Sequence, residues 1–332
     1  MKYMRVAQND ANPNGLEGYA ALTQGAAVVD LSDRRLLRLT GKDPAGMLNA
    51  VLTNDVPPGE TSGAYALLLD PKGRVQTDLR AVKTEGGILL DTEQEGAEAA
   101  AEILGRYAPF SRVKMEKLPD WGVLGLYGPH ANDLLGVSGL AEHEAKQVEI
   151  DGSPVLVVGV AVPVAGYDLI APSDTLVEIR EFLMGRGAFA ADPAAYDTAR
   201  IEAGIPRFGT DVTPDNFPGE SAGILERAVS FGKGCYPGQE TVARMHYRGS
   251  PNKRLYRFEL DPDQKEAPGA GAEILQPDNA PASSASVVGR LTSVAPFPVD
   301  GRVYALGYLA RKADPGSPLR TGDARILAAT QA

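Results

Sequence analysis

The sequence changes texture near residue 251, and that break limits the folds open to it. Upstream, helix-like and strand-like segments alternate. Downstream, residues 251–332 hold short apolar segments (LYRFEL, AEIL, VGRLTSVA, VYALGYLA, ARILAA) separated by loops rich in Pro, Gly and Asp. Short apolar runs punctuated in this way are the pattern of an all-β sandwich or small barrel. At 332 residues the chain exceeds what one hydrophobic core usually serves. An α+β region over 1–250, followed by a separate β unit over 251–332, is therefore expected.

Within the first region, Val28, Val29 and Leu31 suggest a strand, and Leu37–Gly41 a second with period-2 apolar residues. Lys42–Val56 reads as a helix. Asp43 is a plausible N-cap, Pro44 suits the first helical position, and Met47, Leu48, Val51 and Leu52 share a face. Pro57-Pro58-Gly59 stops it. Tyr65–Leu69 and Arg74–Val82 read as strands joined by the turn Asp70-Pro71-Lys72-Gly73, which places Asp78 on the second arm. Gly86–Thr92, Arg112–Leu118, Trp121–Tyr127 and the runs GSPVLVVGVAV and GYDLIAP read as further strands. A helix ends before Pro109, and a short one follows Gly128. Another helix opens at Ser173, a cap candidate, with Leu176, Ile179, Phe182 and Leu183 on one face. A helix over Ala194–Ala203 puts Glu202 near its C-terminus, where the dipole disfavours a carboxylate. Either a ligand donor or a salt bridge to Arg200 or Arg207 is expected to hold it.

Composition excludes several classes. Hydrophobic content of 43% and charged content of 23% are those of a soluble globular protein, and a net charge of −10 argues against bulk nucleic-acid binding. A single cysteine rules out an internal disulfide and a four-cysteine metal site within one chain. The start MKYMRVAQNDANPNG has no apolar signal core, and the longest apolar run, Val155–Ala165, contains Pro163 and is too short to span a bilayer. A cytoplasmic location with no membrane contact is expected by default.

The cysteine, Cys235, lies in the stretch RAVSFGKGCYPGQETVARMHYRG over 227–249. Gly232, Gly234 and Gly238 surround it, and Pro237 biases Tyr236 away from helical geometry. A tight loop entering a helix near Gly238 and running through Glu240–Met245 is expected. Lys233 and that helix N-terminus would favour a thiolate, while burial as a small apolar side chain is the competing reading. From Lys233 to Arg257 there are six basic residues (Lys233, Arg244, Arg248, Lys253, Arg254, Arg257) and one acid, Glu240. A basic segment on an acidic protein suits an anionic ligand or a phosphate backbone, and equally a solvated face. Possible RNA contact is expected at this segment if anywhere. The spacings of His130, His143 and His246 form no metal pattern; only His246 lies near the loop.

At KGCYPGQE followed by Arg244 the sequence resembles the YgfZ group, within the superfamily that includes the aminomethyltransferase (T-protein) of the glycine cleavage system. That signature is Lys-Gly-Cys, an aromatic, one variable residue and Gly-Gln-Glu, with a basic residue four further on. Lys233, Gly234, Cys235, Tyr236, Gly238, Gln239, Glu240 and Arg244 match it. Ala199–Gly204 followed by Gly209-Thr210-Asp211 resembles the T-protein's Arg-Leu-Glu-Ala-Gly and Gly-x-Asp run, and the tail resembles its C-terminal barrel. Gly166-Tyr167 resembles a T-protein segment but lacks the Thr-Gly-Glu that follows there.

The resemblance implies a three-domain cloverleaf around a central folate hole, with two interleaved α+β domains in 1–250, the inner one at about 45–115. It implies tetrahydrofolate or a folate derivative as ligand. Glu202 would take the pterin N–H edge, Tyr65 would cover a ring face, and Lys233 or Arg244 would meet the tail carboxylates. Asp78 falls beside the reactive folate nitrogens, as a proton-transfer candidate and cofactor contact, and Cys235 is the second catalytic candidate. The implied function is a folate-binding accessory role in assembly or repair of iron–sulfur clusters, with client or assembly proteins as partners. An aminomethyltransferase of the glycine cleavage type is the alternative, and Asp78 points towards it. Cys235 and the missing Thr-Gly-Glu point towards the first reading. No resident metal is expected, so any cluster contact would be shared with a partner.

Overall fold

The computed structural model describes residues 13–137, 139–249, 251–262, 268–277 and 285–332; the polar N-terminal dozen lies outside them. The described chain opens with α1 (Pro13–Gln24) and β1 (Ala27–Asp30). It then leaves for β2 (Arg35–Gly41), α2 (Pro44–Val51), β3 (Gly63–Leu69), β4 (Val75–Thr84), β5 (Gly87–Thr92), α3 (Gln94–Tyr107) and β6 (Val113–Lys117). These strands form an antiparallel sheet ordered β3-β4-β5-β2-β6. Leu39, Leu48, Leu52, Leu68, Leu90 and Leu104 form the core between this sheet and α2 and α3. Asp43 caps α2 as expected, its Oδ1 accepting the Gly46 N–H at 2.8 Å, with Pro44 at the first helical position.

The chain returns through β7 (Trp121–Tyr127), α4 (Ala131–Leu135), β8 (Ala145–Ile150), β9 (Ser153–Val160), β10 (Gly166–Pro172), α5 (Ser173–Gly185), β11 (Phe189–Ala191) and α6 (Pro193–Glu202). The second sheet runs β11-β1-β7-β10-β9-β8, antiparallel except for the β1–β11 pair. Its central strand β7 is a continuous apolar run because both of its faces are covered. One face packs on α4 and α5. The other meets the first sheet through Leu36, Val82 and Leu89 against Val123, Leu156, Val158 and Ile170. Ser173 is the first residue of α5 rather than its cap: Pro172 holds the cap position without a side-chain bond, because β10 runs directly into the helix.

After α6 come a 3-10 turn at Pro218–Glu220, α7 (Ala222–Ala228) and α8 (Gln239–Arg248). β12 (Lys253–Leu260), β13 (Glu273–Pro277), β14 (Ala285–Val294), β15 (Val303–Ala310), β16 (Leu319–Thr321) and β17 (Ala324–Gln331) then close a six-stranded barrel in the order β12-β15-β14-β13-β16-β17. The fold is α+β with a C-terminal β-barrel, as the change of texture indicates. A buried clasp joins the barrel to α6. Asp211 accepts bonds from Arg200 (2.7 Å), Thr292 (2.5 Å) and Ser293 (2.7 Å), and its carbonyl takes the Tyr308 hydroxyl (3.1 Å). Arg200 and Asp211 of the Arg-Ile-Glu-Ala-Gly and Gly-Thr-Asp segments are therefore structural pins. Among the described residues, no helix is long and apolar enough to cross a membrane.

Candidate functional site

Strand parity builds the site. On β4 the even-numbered side chains face the second sheet, and along them apolar Val82 gives way to Arg80 and Asp78. The same change occurs from Leu89 to Asp91 on β5 and from Ile170 to Asp168 on β10. Where apolar pairing between the sheets ends, a cavity of about 510 Å³ opens. It is lined by both sheets, the segment 193–210 and Arg227. No barrel residue lines it among those described.

Its wall is a buried ion network. Arg80 Nη2 reaches Asp91 and Asp168 at 2.5 Å each, and Arg34 bonds Asp91 at 2.5 Å and Glu93 at 2.8 Å. Asp168 also accepts the Tyr127 hydroxyl, and Tyr127 stacks on Tyr196 with ring centroids 5.3 Å apart. Two guanidiniums thus face three carboxylates, so Arg34 and Arg80 are already engaged by groups other than Asp78. Burial, and then the charge of Glu93, push the Asp78 carboxyl up to about 6; the Tyr65 hydroxyl and Arg34 pull it part-way back. Tyr65 donates to Asp78 Oδ2 at 2.8 Å, whereas Asp78 Oδ1 is buried with no hydrogen-bond partner. A buried acceptor left unpaired is costly and marks a place where a donor is awaited.

Two of the sequence candidates, Tyr65 and Asp78, meet in this cavity. The other four lie outside its lining. Glu202 is bonded by the Tyr19 hydroxyl of α1, and its carbonyl accepts from Arg257 at 3.1 Å. Neither Arg200 nor Arg207 holds the Glu202 carboxylate, since Arg200 serves Asp197 and Asp211. Lys233 Nζ donates to the carbonyls of Leu52 (2.5 Å) and Asn54 (3.1 Å), covering the C-terminal end of α2. Arg244 is exposed on α8, and Cys235 is exposed in the loop before it. The residues that sequence reading missed are Arg34, Arg80, His143 and Asp168. Their signal was a charged residue two positions from an apolar one on the same strand face for Arg80 and Asp168; His143 carries none.

The cysteine loop is held at its ends and open in the middle. Tyr236 is buried against Leu67, Val75, Phe208 and Val242. Gly238 begins α8 at φ 81°, and a Cβ there would stand 2.6 Å from the Asp70 carbonyl oxygen, so only glycine lets the loop sit on the β3–β4 turn. A Cβ at Gly232 or Gly234 would meet nothing within 4 Å. Beyond the loop, His246 stacks on Phe231 at 4.1 Å. Among the described residues there is no group of three or more His, Cys, Asp or Glu side chains placed to hold a metal ion.

The GCVT N-terminal domain family matches residues 3–233. The tRNA-modifying protein YgfZ of Yersinia enterocolitica is 27% identical over 248 residues, 74% of each chain. That of Yersinia pestis is 28% identical over 251 residues, again 74% of each. The chain is a YgfZ-type member of the GCVT family. In fold, this YgfZ-type chain matches the glycine cleavage system aminomethyltransferase T of Bartonella henselae with a TM-score of 0.77 at 21% identity, over 96% of this chain and 88% of that one.

Proposed function

We propose that this chain binds tetrahydrofolate or a folate derivative in the cavity, and that it supports assembly or repair of iron–sulfur clusters in client enzymes through Cys235. The observation that carries the ligand reading is the buried, unpaired Oδ1 of Asp78 beside the Tyr65 ring in a cavity of about 510 Å³. A folate fits these residues: its pterin ring offers N–H donors to a carboxylate and a flat face to an aromatic ring. Arg207 and Arg227, both partly exposed and lining the cavity, suit the tail carboxylates; this assigns to them the role that Lys233 and Arg244 would have filled, and to Asp78 the contact considered for Glu202. Bound folate supplies one-carbon carrier chemistry, and Asp78, poised near neutrality, can hold or release a proton beside it.

Cys235 supports the client role. Its thiol is exposed, and the neighbouring glycines leave it uncovered. That the Yersinia relatives are tRNA-modifying proteins YgfZ supports this role over aminomethyl transfer and suggests tRNA-modifying enzymes as clients. Exposed Arg244 and Arg248 offer phosphate contacts near the loop. The division that accompanies this reading is a folate-binding region over 1–250, with an inner unit at about 45–115, and a barrel over 251–332. The test is restoration of cluster-dependent enzyme activity in cells lacking their own such protein. Wild type should restore it, while Cys235→Ala and Asp78→Ala should not. Full restoration by Cys235→Ala would defeat the client role.

A further inference from the structure

We infer that His143 is a second ligand-contacting residue of the cavity, whose Nδ1 accepts an N–H of the bound heterocycle other than the one taken by Asp78. This deepens the folate reading and rests on it.

Four observations carry it. First, His143 lines the same cavity as Asp78, and its ring lies 6.4 Å from that of Tyr65. Tyr65 thus neighbours both groups. Second, His143 Nδ1 is buried and without a hydrogen-bond partner, as Asp78 Oδ1 is. Third, His143 adopts φ 66°, in the left-handed region that costs a non-glycine residue. Strain of this kind persists where the surroundings over-determine it, and it gathers at ligand sites.

Fourth, the loop is clamped from both sheets. The His143 N–H donates to Gly159 O at 2.8 Å on β9, and the Ala145 N–H donates to Thr61 O at 2.7 Å beside β3. A Cβ at Gly63 would stand 2.5 Å from the His143 carbonyl oxygen, and one at Gly159 would stand 2.2 Å from that of Ala141. Two glycines let both sheets close on this loop, and the clamp fixes the imidazole towards the cavity.

The polarity of the contact follows. With its hydrogen on Nε2, which has Glu142 Oε1 3.8 Å away, the neutral ring presents its lone pair at Nδ1. Burial, and then the charge of Arg80, hold the imidazole down to about 4, so the ring is neutral near pH 7. The cavity therefore offers two buried acceptors, Asp78 Oδ1 and His143 Nδ1. A reduced pterin ring carries N–H groups at its saturated nitrogens as well as on its amino edge; the oxidised ring presents bare lone pairs at those nitrogens. His143 should thus select heterocycles with N–H donors at two positions.

The test compares tetrahydrofolate with folic acid by calorimetry on the full chain. Wild type should bind tetrahydrofolate at least about tenfold more tightly. His143→Gly relieves the φ and removes the ring, so it should unfold no earlier than wild type. It should lose about tenfold for tetrahydrofolate and little for folic acid, narrowing the ratio. His143→Asn tolerates the left-handed conformation and can place its Oδ1 as acceptor, so it should keep most of the preference. Wild-type binding with an unchanged ratio in His143→Gly would overturn the inference alone. Binding of neither compound by wild type would remove the folate reading and this inference together.

Discussion

The cavity and the cysteine loop are built on opposite plans. The cavity buries its reactive groups: Asp78, Arg80 and Asp168 sit between sheets, and burial, then the charge of Glu93, raises the Asp78 carboxyl. The loop exposes its thiol and buries only its anchors, Tyr236 beneath it and Lys233 half-buried against α2. Their coupling is direct. The β3–β4 turn that carries Gly73 against Gly238 joins the strands that carry Tyr65 and Asp78. One hairpin therefore supports both regions, its strands facing the ligand and its turn facing the loop. A burial-dependent site should be sensitive to charge removal and pH, and an exposed loop only to its anchors.

The largest effect should come from Arg80→Met. It leaves Asp91 and Asp168 buried without their shared cation, and stability to urea should fall by about 3–5 kcal/mol. A loss below about 1 kcal/mol would mean that the wall of the cavity is wet.

Asp78→Asn tests the same wall by pH. The folded carboxyl titrates near 6, above its ordinary value of 3.8, so its contribution to stability is complete below the ordinary value and declines as pH rises through 6. The variant lacks that decline. Between pH 4 and 7 the stability of Asp78→Asn relative to wild type should climb by about 3 kcal/mol, following the roughly two-unit shift. A flat difference across that range would show that Asp78 is solvated.

The loop gives a smaller, paired contrast. Gly238→Ala meets the Asp70 carbonyl at φ 81° and should cost about 2 kcal/mol. Gly234→Ala meets nothing and should change stability by less than about 0.5 kcal/mol, while weakening client activity if a partner must approach the thiol closely. Equal costs at the two glycines would erase the distinction between anchor and open face.

What the sequence revealed follows from the range of the interactions. The β character of 251–332, the Asp43 cap, the helix entry at Gly238 and the hairpin that carries Tyr65 and Asp78 all rest on neighbours in sequence, whereas closing the barrel takes the distant pairs β12–β15, β12–β17 and β13–β16. The helix α1 was hidden because Gly15 and Gly18 weaken its propensity; its packing on α6 compensates, with Gly18 admitting Ala191 and Ala195 closely. The Tyr19 partner of Glu202 was hidden for the same kind of reason: it lies 183 residues away, and no local pattern announces it. Asp168 and Arg80 are 88 residues apart, so their pairing became visible only once two sheets were stacked. His143 sits in an irregular loop whose geometry depends on glycines from two different strands.

The most direct test of the account is a calorimetric titration of tetrahydrofolate into wild type, Asp78→Asn and Cys235→Ala at pH 7. The account predicts that wild type and Cys235→Ala bind alike, and that Asp78→Asn loses about tenfold or more, the worth of a hydrogen bond to a charged acceptor. Binding that survives in Asp78→Asn and fails in Cys235→Ala would contradict it, and would move the ligand from the cavity to the loop.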